Sequence, residues 1–350
     1  MTSPQHATLP VLFRLLDANR GIASSGQFSN HLPMALAALY RLGAGIAQLE
    51  SFDRFYQKAE SSDLSAVAKH AESPRPVNRF SVLSLHFEQR VAHEGACAVM
   101  AELFTNMPFA PATGAFHALI RIAHGLDVGH AGEIAAGLAA YIDGHMPLEN
   151  GPTRPATATG VAAQLAKMSP MLSDIEVKGD FIIRHLSTVA NDARFAEALT
   201  MPPASADLLQ ELAHAAIALY ATTQDFTALH LVTGLHAVRT VFDHLPVALG
   251  RSLLPAVWRA FVCAWASFGA PVVPDLPRLD DAALLPWPTL FALAIDSNND
   301  HCIKLTWAAW SENAASYSPW YQWAISNMMR RRAERGSVAN TQILLAHVAA

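Results

Sequence analysis

Charge is scarce in this chain, and so is cysteine. Only 15% of its 350 residues are Asp, Glu, Lys or Arg, against 52% hydrophobic. A chain so poor in charge and so rich in apolar residues is neither disordered nor a coiled coil, and its helices are buried on more than one side. The three cysteines, Cys97, Cys263 and Cys302, form no CxxC pair. That excludes a disulfide scaffold or a thiolate zinc framework and suits reduced thiols in a cytoplasmic protein. Basic surplus is missing too: the net charge is −5, which argues against nucleic acid as the main partner. The cluster Arg330-Arg331-Arg332 with Arg335 reads most simply as a solvated helix end. No apolar run is long enough to span a membrane; the nearest, Leu253 to Val273, is interrupted by Pro255, Arg259 and Pro271. The first residues lack the basic and apolar segments of a secretory signal.

Catalytic and cofactor motifs are also lacking. There is no GxSxG, HExxH or phosphate loop. Gly43-Ala44-Gly45 fails as a dinucleotide loop, because no strand precedes it and Gln48 stands where a third glycine belongs. Alternating strand patterns are nearly absent, and almost every segment follows the helical period. The expectation is therefore an all-α protein, one large multi-helix domain over residues 1–350 with a central buried site. The segment 146–159 is the best candidate boundary, and the run of helix pairs leaves an α-solenoid open. A long helix is expected over 79–104 and a further helix over 178–199, and 313–335 finishes the body. Loops are expected over 21–29, over the polar connection 60–78, and over the proline-rich 270–288, with Leu284-Leu285-Pro286-Trp287 as the apolar anchor of the last.

What the chain does have is histidine, sixteen of them against twenty-four Lys plus Arg. The useful ones sit at helix starts or on apolar helical faces. Asn298-Asn299-Asp300-His301-Cys302-Ile303-Lys304 reads as a helix start, with Asn299 or Asp300 as its cap. His301 and Lys304, three apart, then share one face near the N-terminus. The positive end of the helix and burial both oppose protonation there, which favours a neutral imidazole and a neutral amine. The plainer alternative is an exposed first turn with an ordinary ammonium. His31 follows Asn30 at another helix start, His117 lies beside the stripe Phe116, Leu119, Ile120 and Ala123, and His230 falls in the second turn of a helix that Asp225 can cap. His236, six residues on, cannot share a face with His230. Singly, each is most simply a core histidine. Burying four imidazoles and an amine with no shared partner would cost several kcal/mol.

At these residues the chain resembles the questin oxidase-like family. The blocks are Asn30-His31-Leu32-Pro33-Met34 with Ala38 to Ala44, Gly114 to Arg121, His230-Leu231-Val232-Thr233, and Asp300-His301-Cys302-Ile303-Lys304, in the family's order. The resemblance implies a non-haem iron oxygenase in which His31, His117, His230, His301 and a carboxylated Lys304 hold Fe(II). Dioxygen would oxidise a hydroxyaromatic or quinone of polyketide type, by ring cleavage or Baeyer–Villiger-type oxidation, with NADPH as reductant in some members. Thr233, Asp300 and Asn30 are the outer partners expected for the imidazoles, and Phe116, Trp287, Trp307 and Trp310 the aromatic residues available to line a pocket. His124 and His130 take no role from the resemblance. The other two classes left open are a metal-dependent hydrolase on a helical scaffold and a non-catalytic helical binding protein.

Overall fold

Polar caps and glycine breaks divide the chain into sixteen helices in the computed structural model, which describes residues 4–21, 30–67, 79–148, 154–275 and 284–335, excepting the side chains of 4–6 and 59–67. They are α1 (Pro4–Ala18), α2 (Leu32–Arg41), α3 (Ile46–Val67), α4 (Arg79–Glu94), α5 (Ala96–Asn106), α6 (His117–Val128), α7 (Ala131–Asp143) and α8 (Val161–Leu172). The second half holds α9 (Ile182–Ala190), α10 (Ala193–Ala198), α11 (Leu208–Thr223), α12 (Phe226–Phe242), α13 (Val247–Ala266), α14 (Trp287–Ile295), α15 (Asp300–Ala315) and α16 (Pro319–Glu334). The described residues form one helical domain without strands.

The expected segments 79–104, 178–199 and 313–335 are each cut by local chemistry. Gly95, at φ 85°, separates α4 from α5 in the left-handed region that glycine enters without a Cβ clash. Asp192 caps the six-residue α10 by accepting from the Arg194 N–H, which stops α9. Ser318 and Pro319 start α16 after α15 has ended at Ala315. In the other direction, α3 continues through the expected polar connection as far as Val67, and the remainder of that connection lies outside the described residues. Most of the expected loop at 21–29, the middle of the 146–159 segment and residues 276–283 of the proline-rich loop also lie outside them. The apolar anchor of that last loop holds: Leu285 is buried and donates its N–H to Ser326 Oγ.

Four helices position the site. α2 packs on α6, α6 on α12, α12 on α15 and α15 back on α2, so the contacts close into a ring. This closure rules out a solenoid, in which a repeat touches only its neighbours in sequence. α7 braces α6 from outside at two glycines. A Cβ on Gly125 would stand 2.7 Å from the Ile134 nitrogen, and one on Gly137 2.7 Å from the Ile122 nitrogen, so the backbones approach too closely for any side chain. α11 and α16 back the ring at α12 and α15. α13 is long and apolar enough to cross a membrane by length and composition alone, and half of it is buried among the other helices, with Trp258 and Trp265 fully enclosed.

Candidate metal centre

All four helices of the ring begin at the same place, and each brings one histidine there. His31 is the residue just before α2, His117 the first of α6, His301 the second of α15, and His230 stands in the second turn of α12. The local reasons differ. Asn30 Oδ1 accepts from the Leu32 N–H and Pro33 follows in the first turn, where a missing donor costs nothing. Ala115 and Phe116 enter α6 through positive φ (56° and 71°), and the Phe116 ring fills the space where a Cβ on Gly234 would lie 2.8 Å away. Asp225 caps α12 by accepting from Thr227 and Ala228, and Asn299 caps α15 by accepting from Cys302. The cap of α15 is thus Asn299, which leaves Asp300 free to face the site.

The rings are close enough to touch. His31 stacks on His117 with centroids 4.5 Å apart, and His301 meets His31 edge-on at 4.8 Å. His230 lies 4.9 Å from His117 and 5.4 Å from His301. Possible ligand atoms of His31, His117 and His301 all fall within 4.8 Å of one another. His230 adjoins this trio and stands outside that radius.

The hydrogen bonds fix which nitrogen carries the proton. His31 Nδ1 is 2.6 Å from Asp300 Oδ2 and His301 Nδ1 is 3.1 Å from Asp300 Oδ1. His117 Nδ1 is 2.6 Å from the Gly114 carbonyl, and His230 Nδ1 2.8 Å from the Phe226 carbonyl. Carbonyls and an ionised carboxylate only accept, so every Nδ1 donates, and in the neutral ring every Nε2 keeps its lone pair. Nε2 of both His117 and His301 is buried with no partner. A buried acceptor left unpaired costs about 1–3 kcal/mol, so this arrangement is a cost unless something binds there.

Electrostatics keep the rings neutral. Burial, then the charge of Lys304, pushes His31 down to about 4 despite the pull of Asp300. His117 and His230 fall well below the usual histidine range, chiefly through burial, and His301 is lowered by burial and Lys304. Lys304 is itself buried, with Nζ 3.2 Å from Asp300 Oδ2, and burial lowers its pKa against the opposing pull of that carboxylate. Burial alone would raise Asp300; Lys304 and the two imidazole donors outweigh it and hold the carboxylate ionised. The donor set, imidazole nitrogens whose far sides are anchored, is the one a divalent transition metal takes.

The outer partners are only partly those expected. Asp300 holds two rings and the lysine. Asn30 instead spends its side chain on Leu32 N–H and the carbonyls of Asn19 and Gly21, and the Thr233 hydroxyl bonds back to the Leu229 and His230 carbonyls of its own helix. The Gly114 and Phe226 carbonyls take those places, and backbone acceptors carry no signal in a sequence. The aromatic lining differs as well. A cavity of about 240 Å³ opens onto His31, His117, His230 and His301, and Phe181, Ile182, Ile183 and Phe226 wall it. Phe116 packs under Gly234, Trp287 and Trp310 meet edge-on with centroids 5.1 Å apart, and Trp307 donates Nε1–H to Asp127 Oδ2 beneath the Arg41 guanidinium.

Further along the same ring lies a polar network that sequence reasoning missed. Glu312, almost fully buried, accepts from Arg239 Nε at 3.0 Å and lies 3.4 Å from His236 Nδ1. Although burial opposes it, Asp127 and Glu312 on either side raise His236 to about 9. Two carboxylates against an imidazolium and a guanidinium balance, so this layer is a neutral clasp among α6, α12 and α15. His124, close by, is pushed down by burial to about 3. His130 caps α7, its Nδ1 accepting from the Glu133 N–H.

Fold and site together define a helical protein that encloses a cluster of anchored imidazoles, three of which could hold a metal ion. Comparison with protein families then matches residues 28–309 to the description "Questin oxidase-like". The chain belongs to the questin oxidase-like family, and membership implies an oxidoreductase of the oxygenase or oxidase kind. A search of curated proteins found no match.

Proposed function

We propose that the protein is a non-haem iron oxygenase, with Fe(II) held by His31, His117, His230 and His301 and by a carboxylated Lys304, acting on a hydroxyaromatic or quinone with dioxygen. One observation carries this reading: four imidazoles donate Nδ1–H to fixed acceptors, so their Nε2 lone pairs remain for a shared ion. Iron, when bound, supplies the means of reducing dioxygen beside the substrate. The chain's own groups do the rest. Asp300 and the two carbonyls hold the rings in the ligating tautomer. Phe181, Ile182, Ile183 and Phe226 offer apolar walls to an aromatic substrate.

Lys304 Nζ stands 3.2 Å from Asp300 Oδ2. Carboxylation joins the neutral amine to carbon dioxide and releases one proton, giving an anion that a cation in the cluster would attract and an ammonium there would not. Ring cleavage that places both oxygen atoms in the product needs no external reductant. Baeyer–Villiger-type insertion of one atom leaves the other to be reduced to water, and NADPH is the reductant we assign to that case.

The test is metal analysis of protein purified without a histidine tag, with oxygen uptake on a hydroxyanthraquinone. About one iron per chain, lost in His117→Ala and His301→Ala, is expected. Zinc or manganese with no oxygen uptake would move the assignment to a hydrolase, and no metal at all would leave a binding protein.

A further inference from the structure

A second cavity, of about 300 Å³, lies on the other side of the His301 wall, with Phe226 and His301 lining both cavities. Its charge is of one sign. Arg331, Arg332 and Arg335 from the end of α16 line it, together with Asn299 at the start of α15, and among the described residues no carboxylate does. Among the described residues none of the three arginines forms an ion pair. Arg332 donates to the Ser297 carbonyl at 3.3 Å, while its Nε is buried without a partner.

Arginines at a helix C-terminus are ordinary, since they complement the dipole of their own helix. Here they also face the N-terminal end of α15, whose dipole is positive, and each other. Like charges gathered around one cavity are unfavourable until an anion enters. A single carboxylate would be met by one guanidinium in a two-pronged contact, whereas three guanidiniums beside a helix N-terminus match the higher charge and several oxygens of a phosphate. Tyr220, Leu229, Phe226 and Met328 give the same cavity an apolar side, where an organic body attached to the phosphate has room.

We propose that this cavity binds a phosphate-bearing ligand, gripped by Arg331, Arg332 and Arg335 at the N-terminus of α15. The site is independent of the iron reading, although a ligand seated in it touches the wall of the imidazole cluster.

Isothermal titration of full-length protein, metal-free and iron-loaded, with inorganic pyrophosphate tests this. Arg331 and Arg335 are exposed, so the double variant Arg331→Ala/Arg335→Ala leaves the core intact. It is expected to bind pyrophosphate at least about tenfold more weakly, with unchanged iron content, while Arg54→Ala on the exposed face of α3 binds as the wild type. A phosphate ester such as adenosine 2′,5′-bisphosphate binding more tightly than pyrophosphate identifies an organic phosphate as the occupant, and equal binding identifies free phosphate. Absence of pyrophosphate binding to the wild type, equal loss in Arg54→Ala, or tighter binding of benzoate than of either phosphate overturns the proposal. Failure of iron binding with intact pyrophosphate binding would leave this inference standing and remove the other.

Discussion

Replacing Asp300 by asparagine keeps the shape of the side chain and removes one of its two acceptors. In the wild type, Oδ2 accepts from His31 at 2.6 Å and Oδ1 from His301 at 3.1 Å, and Lys304 Nζ lies 3.2 Å from Oδ2. An amide offers one oxygen, so one ring meets an NH2 group. That ring must move its proton to Nε2, the nitrogen a metal would use, and iron affinity is expected to fall about 10- to 100-fold. The second consequence is electrostatic: Lys304, buried, loses the one carboxylate partner it has among the described residues. Removing one member of a buried pair costs about 3–5 kcal/mol. The amine escapes part of this by deprotonating. Burial has already lowered its pKa, so the loss is expected at the lower end of that range, about 3 kcal/mol. Urea unfolding of metal-free protein measures the stability, and iron analysis after dialysis measures the affinity. Adding Lys304→Met to Asp300→Asn removes the unpaired cation and should restore part of the stability without restoring iron. Asp300→Asn with a loss under about 1 kcal/mol and wild-type iron content would refute the reasoning, because neither the tautomer lock nor the buried pair would then exist.

Lys304→Arg should abolish iron-dependent oxygen uptake, since a guanidinium neither forms a carbamate nor tolerates a cation beside it; full activity in this variant would remove Lys304 from the centre. The metal-free protein should lose stability as pH falls. The folded-state pKa values of His31 (about 4) and His124 (about 3) lie below the ordinary 6.5, so unfolding takes up protons, and each such ring costs about 1.4 kcal/mol per pH unit below 6.5 until its folded pKa is reached. His236 acts in the opposite sense: raised to about 9, it stabilises fully below 6.5 and loses that contribution as pH climbs to 9, so His236→Gln should flatten the alkaline limb of a urea-midpoint profile. Gly137→Ala should destabilise by about 1–3 kcal/mol, because the new Cβ meets Ile122 at 2.6 Å; a variant that melts with the wild type would contradict the close contact of α6 and α7.

The sequence by itself determined the all-α class and marked the four histidines that the structure brings together. Capping chemistry is local, so Asn30, Asp225 and Asn299 announce the helix starts that carry His31, His230 and His301; Asp225 and Asn299 cap α12 and α15, and Asn30, one residue before the N-cap of α2, accepts from the Leu32 N–H. The helical period also made the all-α class legible, while single glycines and capping residues that end a helix, such as Gly95 and Asp192, are easily overrun when a window of apolar positions is averaged. What only the tertiary structure decided is everything that joins residues far apart along the chain. Asp300 meets His31 across 269 positions, and Glu312 meets Arg239 and His236 because α12 and α15 pack together. The acceptors of His117 and His230 are backbone carbonyls, which every residue has and no sequence marks. The same limit applied to Arg331, Arg332 and Arg335. A run of arginines at a helix end looks like a solvated terminus until packing places the start of another helix opposite it, since a local pattern records which charges a segment carries and never what it faces.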